Sequence, residues 1–334
     1  MPTIYDVAKA AGVSIATVSR VINGYPFVSE KTREKVLQVM QELNYSPNIL
    51  AAALMKKVTY TVGLLIPDIS NPFFAEITRG AEDAANKFGF NTIICNTDND
   101  SEKETKYINL LLQKSVDGLI FATSEIVNQN ILMLKEKKFP MVLIAREVEG
   151  SGVDVVLADN VQGAYEGVKY LIELGHRTIA FVGEPLTIKS TQERLAGYEK
   201  ALKDAGLPIV EHLILTGFKT LEETYKKIKS FYWKTRPSAI FATNDVLAIG
   251  VIRGLKELRI NIPEDVSIVS FDDTVFASIA EPPLTSVAQP MRQMGQLAIM
   301  KLINRIRNKE EAATKIVLPT KLVVRNSTTK FKGT

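Results

Sequence analysis

Thr3-Ile4-Tyr5-Asp6-Val7-Ala8-Lys9-Ala10-Ala11-Gly12-Val13-Ser14-Ile15-Ala16-Thr17-Val18-Ser19-Arg20-Val21-Ile22-Asn23-Gly24 reads as a helix, a tight turn and a second helix. Ile4, Val7, Ala8 and Ala11 recur at helical spacing and form one apolar face. Gly12 supplies the left-handed residue of a sharp turn, and Val13 plugs the crossing of the two helices. Ser14 is placed to cap the second helix through its hydroxyl. Val18, Val21 and Ile22 form the buried stripe of that helix; Ile15, Ala16, Thr17, Ser19, Arg20 and Asn23 stay on or near its outer face. This is the shape that lays a short helix in the major groove of DNA. A small helical bundle with no DNA role shares the pattern, so the rest of the chain has to decide.

Charge placement leans towards DNA. The 334 residues carry a formal net charge of only +4. Residues 1–60 hold Lys9, Arg20, Lys31, Arg33, Lys35, Lys56 and Lys57 against Asp6, Glu30, Glu34 and Glu42, which leaves the remainder near neutral. A basic N-terminus on a neutral body points to a polyanion partner for that segment alone. Composition is otherwise that of a globular protein, 46% hydrophobic and 23% charged, with length for two or three domains. Cys95 is a lone cysteine in the apolar run Thr92-Ile93-Ile94-Cys95; it reads as a buried strand residue and fits a reducing, cytoplasmic location. No apolar leader and no apolar run of the ~20 residues needed to span a bilayer is visible, so no membrane partner is expected.

A third helix is predicted from Ser29, its N-cap, to Leu43, with Val36, Leu37, Val39, Met40 and Leu43 apolar. Tyr45-Ser46-Pro47-Asn48 ends it, and the alanine-rich segment Ile49–Lys56 is a short helix that would form only when packed against something. From Thr61 the pattern changes to apolar strands, Val62–Ile66, Thr92–Cys95, Gly118–Ala122, Met141–Ala145, Val153–Ala158, Ile179–Gly183, Ala239–Ala242 and Ser267–Phe271. Helical stretches such as Phe73–Phe88, Val161–Leu174 and Asp245–Leu258 separate them. The expected fold class is therefore α/β, parallel sheets flanked by helices, in two lobes with a cleft; a closed eight-stranded barrel is the competitor.

Nucleotide-binding glycine loops, the G-x-S-x-G elbow and H-E-x-x-H are absent from the sequence. The two histidines, His176 and His212, have no spacing suited to a metal or a triad, and His176 reads as a capping or interface residue after a helix end. No catalytic residue, metal or cofactor is expected. Polar residues cluster instead behind the strands, where open α/β sheets bind ligands: Asn71-Pro72, Arg146, Asp159-Asn160, Asn244-Asp245 and Asp272-Asp273. Asn71, Asp159 and Asn244 also make good helix caps. With Phe73, Phe74 and Arg194 they suit a small polyol or heterocycle.

These residues resemble a known family. Thr3–Ala8 through Val18–Gly24 is similar to the N-terminal domain of the lactose/galactose-repressor (LacI/GalR) family of bacterial transcription regulators, and Tyr45-Ser46-Pro47-Asn48 to the family's entry into its hinge helix. The likeness continues through Gly63–Phe74, Gly175-His176-Arg177, Arg194-Leu195-Ala196-Gly197-Tyr198, Asn244-Asp245, Phe271-Asp272-Asp273 and Pro283–Val287, with the catabolite-control and purine-repressor branches nearest. It implies a helix-turn-helix domain at 1–46, a hinge helix at 47–57 and a periplasmic-binding-protein-like core at 58–334. Within that core the N-lobe would span about 60–159 and 291–318, and the C-lobe about 161–289 and 320–330. It also implies a homodimer on palindromic operator DNA. Ile15, Ala16 and Arg20 would face base edges, Arg20 as a bidentate partner of guanine; Thr17, Ser19, Asn23 and Tyr45 would hold phosphates. Leu54 would wedge into the minor groove. Ala52 and Met55 depart from the basic or polar residues common in relatives.

For the cleft, the resemblance implies Asn71, Phe73, Phe74, Arg146, Arg194, Phe218, Asn244, Asp272 and Gln289 as effector contacts. Ala145 stands where sugar-binding relatives place an aspartate. The expected function is a non-enzymatic DNA-binding regulator, a repressor, controlled by a sugar or sugar derivative. The alternatives are a purine effector, or a phosphoprotein corepressor of the catabolite-control type. A solute-binding protein or a sugar-processing enzyme is the rival from another class.

Overall fold

The computed structural model describes residues 2–22, 24–45, 58–122, 128–148, 150–308 and 312–332. The chain divides into two compact units, Met1–Thr59 and Tyr60–Thr334.

The first unit is three helices, α1 (Ile4–Ala11), α2 (Ile15–Ile22) and α3 (Glu30–Glu42). Thr3 and Asp6 form a capping box at the start of α1, and Gly12 ends it at φ 63°, ψ 37°. The Ser14 hydroxyl accepts from the Thr17 amide at 3.1 Å, and Ser29 caps α3 in the same way through Thr32. Val7, Ala8, Ala11, Val18, Val21, Val36 and Val39 pack into one small core, with Val13, Ile22 and Tyr45 against it. Leu37 departs from the expected apolar stripe of α3: it is 48% exposed, because Val36, Val39 and Met40 already cover the side facing α1 and α2.

The second unit contains two six-stranded sheets. The first, in the order β11-β5-β4-β3-β1-β2, is wholly parallel. Its strands are β1 (Thr61–Ile66), β2 (Asn91–Asn96), β3 (Gly118–Phe121), β4 (Met141–Ile144), β5 (Asp154–Ala158) and β11 (Lys315–Leu318). The second, in the order β12-β10-β9-β8-β6-β7, is parallel except for β12, which runs antiparallel to β10. It comprises β6 (Ile179–Val182), β7 (Ile214–Leu215), β8 (Ala239–Ala242), β9 (Ser267–Asp272), β10 (Thr285–Ala288) and β12 (Lys321–Val323). Two open sheets exclude the barrel. The chain passes from one sheet to the other after β5, returns after β10 and passes again between β11 and β12.

The inner strands of each sheet are buried on both faces, which is why they read as continuous apolar runs, whereas β2 at an edge leaves Ile93 and Ile94 exposed. Val62, Leu64 and Ile66 point to the helices Pro72–Lys87 and Met291–Arg307, while Leu65 points the other way to Ile108 and Leu111. The helices Pro72–Lys87 and Met291–Arg307 meet backbone to backbone. A Cβ on Gly80 would lie 2.1 Å from the Arg292 carbonyl, and one on Gly295 2.1 Å from that of Ile77. In the second sheet, Ala180 and Val182 face one core and Phe181 the other.

The eight strands read from the sequence are present with ends shifted by a residue or so. Strands β7, β10, β11 and β12 were not among them. Strand β7 has two residues; β10 carries polar Thr285 and Ser286; β11 and β12 are edge strands that leave Lys315 and Lys321 exposed.

Candidate functional site

Strand order places the cleft. In the first sheet β1 lies between β3 and β2, and in the second β6 lies between β8 and β7, so each sheet has a switch point where neighbouring loops diverge. Residues behind β1, β4, β6, β8 and β9 converge there. One cavity is lined by Asn71, Phe73, Phe74, Ala145, Arg146, Glu184, Ser190, Arg194, Asn244 and Asp272, with about 330 Å³ of empty space counted to its open side.

Each lining residue has a local reason for its place. Asn71 caps the Pro72–Lys87 helix by accepting from the Phe73 amide, with Pro72 at the first helical position. The first turn of that helix puts Phe73 and Phe74 at the cavity wall, their rings edge to face at 5.0 Å. Asn244 caps the Asp245–Glu257 helix, accepting from Leu247 at 2.8 Å. Asp159 caps the Asn160–Glu173 helix through Gln162. Ala145 and Asp272 have positive φ, 62° and 102°, conformations that cost L-residues energy and cluster at functional sites.

The charged groups are buried. Arg194 is 5% exposed; its Nε donates to Asn160 Oδ1 at 2.9 Å and one Nη donates to the Thr243 carbonyl. Its guanidinium lies 4.0 Å from the ring centre of Phe271, and Nη1 stands 3.7 Å from Asp272 Oδ1. Gln289 Nε2 donates to the same Asp272 oxygen at 2.7 Å. Burial holds the Asp272 carboxyl well above the ordinary carboxylate range, and the charge of Arg194 opposes that rise. Arg146 donates from Nη1 to Asn99 Oδ1 at 3.2 Å, lies 5.6 Å from the Phe74 ring centre and stands 3.8 Å from Glu184. Burial pulls its pKa down, and Glu184 counters. Below this layer Asp245 accepts from Ser270, from the Thr274 amide and hydroxyl, and from Ser286. It braces β9 and β10 rather than facing the cavity.

Of the nine effector residues read from the sequence, Asn71, Phe73, Phe74, Arg146, Arg194, Asn244 and Asp272 line the cavity. Gln289 sits behind it, bonded to Asp272. Phe218 is 1% exposed in the apolar core with Ile228 and Phe231, where the second lobe buries it away from the lining. Glu184 and Ser190 are additions. Glu184 follows Gly183 at the end of β6, and its only sequence signal is that position. His176 caps the Asn160–Glu173 helix through its backbone, its amide donating to the Leu171 carbonyl at 3.1 Å behind Gly175 at φ 96°, but its side chain does not meet the surface. It is 2% exposed, with Nδ1 3.1 Å from Ser238 Oγ and Nε2 3.0 Å from Ser267 Oγ and 3.1 Å from the Thr329 carbonyl.

In the first unit, Ile15, Ala16 and Arg20 are exposed on α2, whereas Thr17 and Ser19 are half-buried. The Thr17 hydroxyl bonds that of Ser14 at 2.9 Å, and Tyr45 packs partly against the helical core. Asn23 and Leu54, with the whole segment 46–57, lie outside the described residues. Among the described residues, no helix is long and apolar enough to cross a membrane, and no group of three or more His, Cys, Asp or Glu is placed to hold a metal.

Comparison with known proteins agrees with this division. Residues 3–48 match the family of bacterial regulatory proteins, lacI family, and residues 59–326 match the periplasmic binding proteins and sugar binding domain of LacI family. The HTH-type transcriptional regulator DegA of Bacillus subtilis (strain 168) is 44% identical over 329 residues, 98% of either chain. Catabolite control protein A of Priestia megaterium is 40% identical over 332 residues, 98% of this chain and 99% of the relative. The crystal structure of the Lac repressor dimer bound to operator and the anti-inducer ONPF matches with a TM-score of 0.88 at 28% identity, covering 98% of this chain and 99% of that one. These relatives are regulators and not enzymes. The chain belongs to the LacI family of DNA-binding transcriptional regulators.

Proposed function

We propose that this chain is a repressor that binds a palindromic operator as a homodimer and responds to a sugar or sugar derivative held in the core cleft. The observation that carries the reading is the cavity itself: residues from both sheets, Asn71, Phe73, Phe74 and Arg146 from the first and Arg194, Asn244 and Asp272 from the second, meet around one space. A ligand there touches both lobes at once, so its binding energy depends on how they are closed. Only a ligand with different affinity for two closure states can switch the protein. The mix of carboxylates, amides, guanidiniums and aromatic faces suits hydroxyl groups on a ring.

On the DNA side, Arg20 takes a guanine edge in the major groove, Ile15 and Ala16 offer apolar contact, and Thr17, Ser19, Asn23 and Tyr45 set register on phosphates. Leu54 acts as the minor-groove wedge, within a hinge at 47–57 that joins the DNA-binding domain to the core.

The test is a thermal-shift and calorimetric screen of sugars, sugar derivatives and purines on the full chain, repeated on Arg194→Ala and Asp272→Ala. A stabilising sugar-class ligand whose binding both variants abolish is the expected result. Purine binding alone, or binding indifferent to both substitutions, overturns the effector assignment. Turnover of the ligand overturns the regulator-only reading.

A further inference from the structure

We propose that Glu184 sets the specificity of the cleft: with Arg146 it forms a subsite across the two lobes that takes a hydroxyl of an uncharged ligand and turns away an anion. This rests on the cleft being the effector site and gives a role to a residue that the sequence did not single out. Arg146 follows β4 in the first sheet, Glu184 follows β6 in the second, and both line the cavity. Arg146 is held from its own lobe. Its Nη1 donates to Asn99 Oδ1 at 3.2 Å, and the guanidinium lies 5.6 Å from the ring centre of Phe74. The other terminal nitrogen, Nη2, stands 3.8 Å from Glu184 Oε1. At that separation the two charges attract without a hydrogen bond, which closes at about 2.7–3.2 Å. The Glu184 side chain has no hydrogen bond to a described residue, and Nη2 of Arg146 has none either. No polar atom of either side chain is sealed in the interior without a partner, so both open on the space they line.

The second ion pair of the cavity is built differently. Arg194 and Asp272 belong to one lobe and stand 3.7 Å apart, but each is tied by its neighbours, Arg194 to Asn160 and the Thr243 carbonyl, Asp272 to Gln289. Arg146 and Glu184 have only the bond to Asn99 between them. What fills the gap must accept from Arg146 and donate to Glu184. A hydroxyl does both with one oxygen, about 2.8 Å from each partner. A carboxylate or phosphate oxygen accepts from Arg146 but brings no proton to Glu184, and sets two anionic groups side by side. An ammonium donates to Glu184 but confronts the guanidinium with like charge. Specificity of this kind is set as much by the group that is repelled as by the one that is bound. A hydroxyl bonded to both side chains also links the first lobe to the second through the ligand.

The experiment is isothermal titration of the full chain with D-glucose, D-galactose and D-ribose, with the monodeoxyfluoro analogues of whichever sugar binds, and with D-glucuronate and D-galacturonate. Fluorine nearly matches a hydroxyl in size but cannot donate to Glu184. At one ring position it should weaken binding to the native chain about tenfold or more. Glu184→Ala should bind the parent sugar about tenfold more weakly, and in that variant the same fluorine should cost less than about threefold. The uronates should bind the native chain more weakly than the uncharged sugars. Glu184→Gln, which removes the charge and keeps the shape, should narrow that gap by about tenfold. Glu184 is half-buried and unbonded, so both variants should fold. Fluorine losses that are the same with and without Glu184, a gap unchanged by Glu184→Gln, or a uronate that binds the native chain as tightly as its parent sugar overturns the proposal while leaving the cleft as effector site. Binding by no compound in the panel overturns both.

Discussion

Replacing Arg194 by alanine removes the guanidinium around which the C-terminal half of the cleft is organised. Asn160 Oδ1, the Thr243 carbonyl and Asp272 lose their donor together, and all three residues are buried. Breaking a buried ion pair from one side costs roughly 3–5 kcal/mol, because a charge is left without compensation. Part of that is relieved here. Gln289 still donates to Asp272, whose carboxyl burial already holds well above its ordinary range and which can escape by taking up a proton. The net loss should be about 2–4 kcal/mol at pH 7.5, a fall in Tm of about 5–15 °C for a unit of this size.

The pH dependence has a definite sign. A carboxyl with a raised folded-state pKa contributes stability that is fully present below its unfolded value and is lost as pH rises through the folded value. Arg194 opposes that rise, so its removal raises the pKa of Asp272 further and makes the deficit larger at pH 7.5 than at pH 5.5. Adding Asp272→Asn to Arg194→Ala removes the stranded charge and should recover about 1–3 kcal/mol. Urea unfolding followed by far-ultraviolet circular dichroism at the two pH values measures all of this. A deficit that is equal at both, or an Asp272→Asn substitution that adds to the loss, would refute the reasoning.

Three further outcomes are expected. Gly295→Ala drives a methyl group into the Ile77 carbonyl across the contact between Pro72–Lys87 and Met291–Arg307, and should destabilise the first lobe by more than about 3 kcal/mol; a near-neutral melt would show that the contact yields. His176 is held neutral by burial, with its pKa below 6.5, so stability should fall as pH drops from about 6.5 to 5; His176→Gln should flatten that slope in a pH series of melts. Arg20→Ala should relax preference at one operator position in a binding-site selection, and equal weakening on every sequence would make Arg20 a phosphate contact instead.

Where one face or one period decides an element, the sequence was enough. Both helices of the opening run, the cap at Ser14 and the buried strands Val62–Ile66 and Ala239–Ala242 follow from local spacing alone. The same holds for the cap residues Asn71 and Asn244, whose positions behind strands also put them at the cavity. What escaped depends on contacts distant in sequence. Strand β10 is held by β9 and β12, and its polar Thr285 and Ser286 look like loop residues until Ser327 and Asp245 are seen to satisfy them. His176 is bonded by residues 62, 91 and 153 positions away. Glu184 becomes a site residue only because β6 lies at the switch point of the second sheet, opposite Arg146 of the first. Phe218 shows the converse: its family position suggests the cleft, while packing against Ile228 and Phe231 keeps it in the core.

The central claim is that DNA binding and cleft occupancy are coupled within one chain. Its most direct test is a fluorescence-anisotropy titration of the full chain on a palindromic site selected from random DNA, with and without a saturating cleft ligand. The account predicts dimer binding to that site, a shift in affinity of tenfold or more on adding ligand, and no shift in an Asp272→Ala variant that still binds the site without ligand. Operator affinity that stays the same when calorimetry shows the cleft to be filled would contradict it.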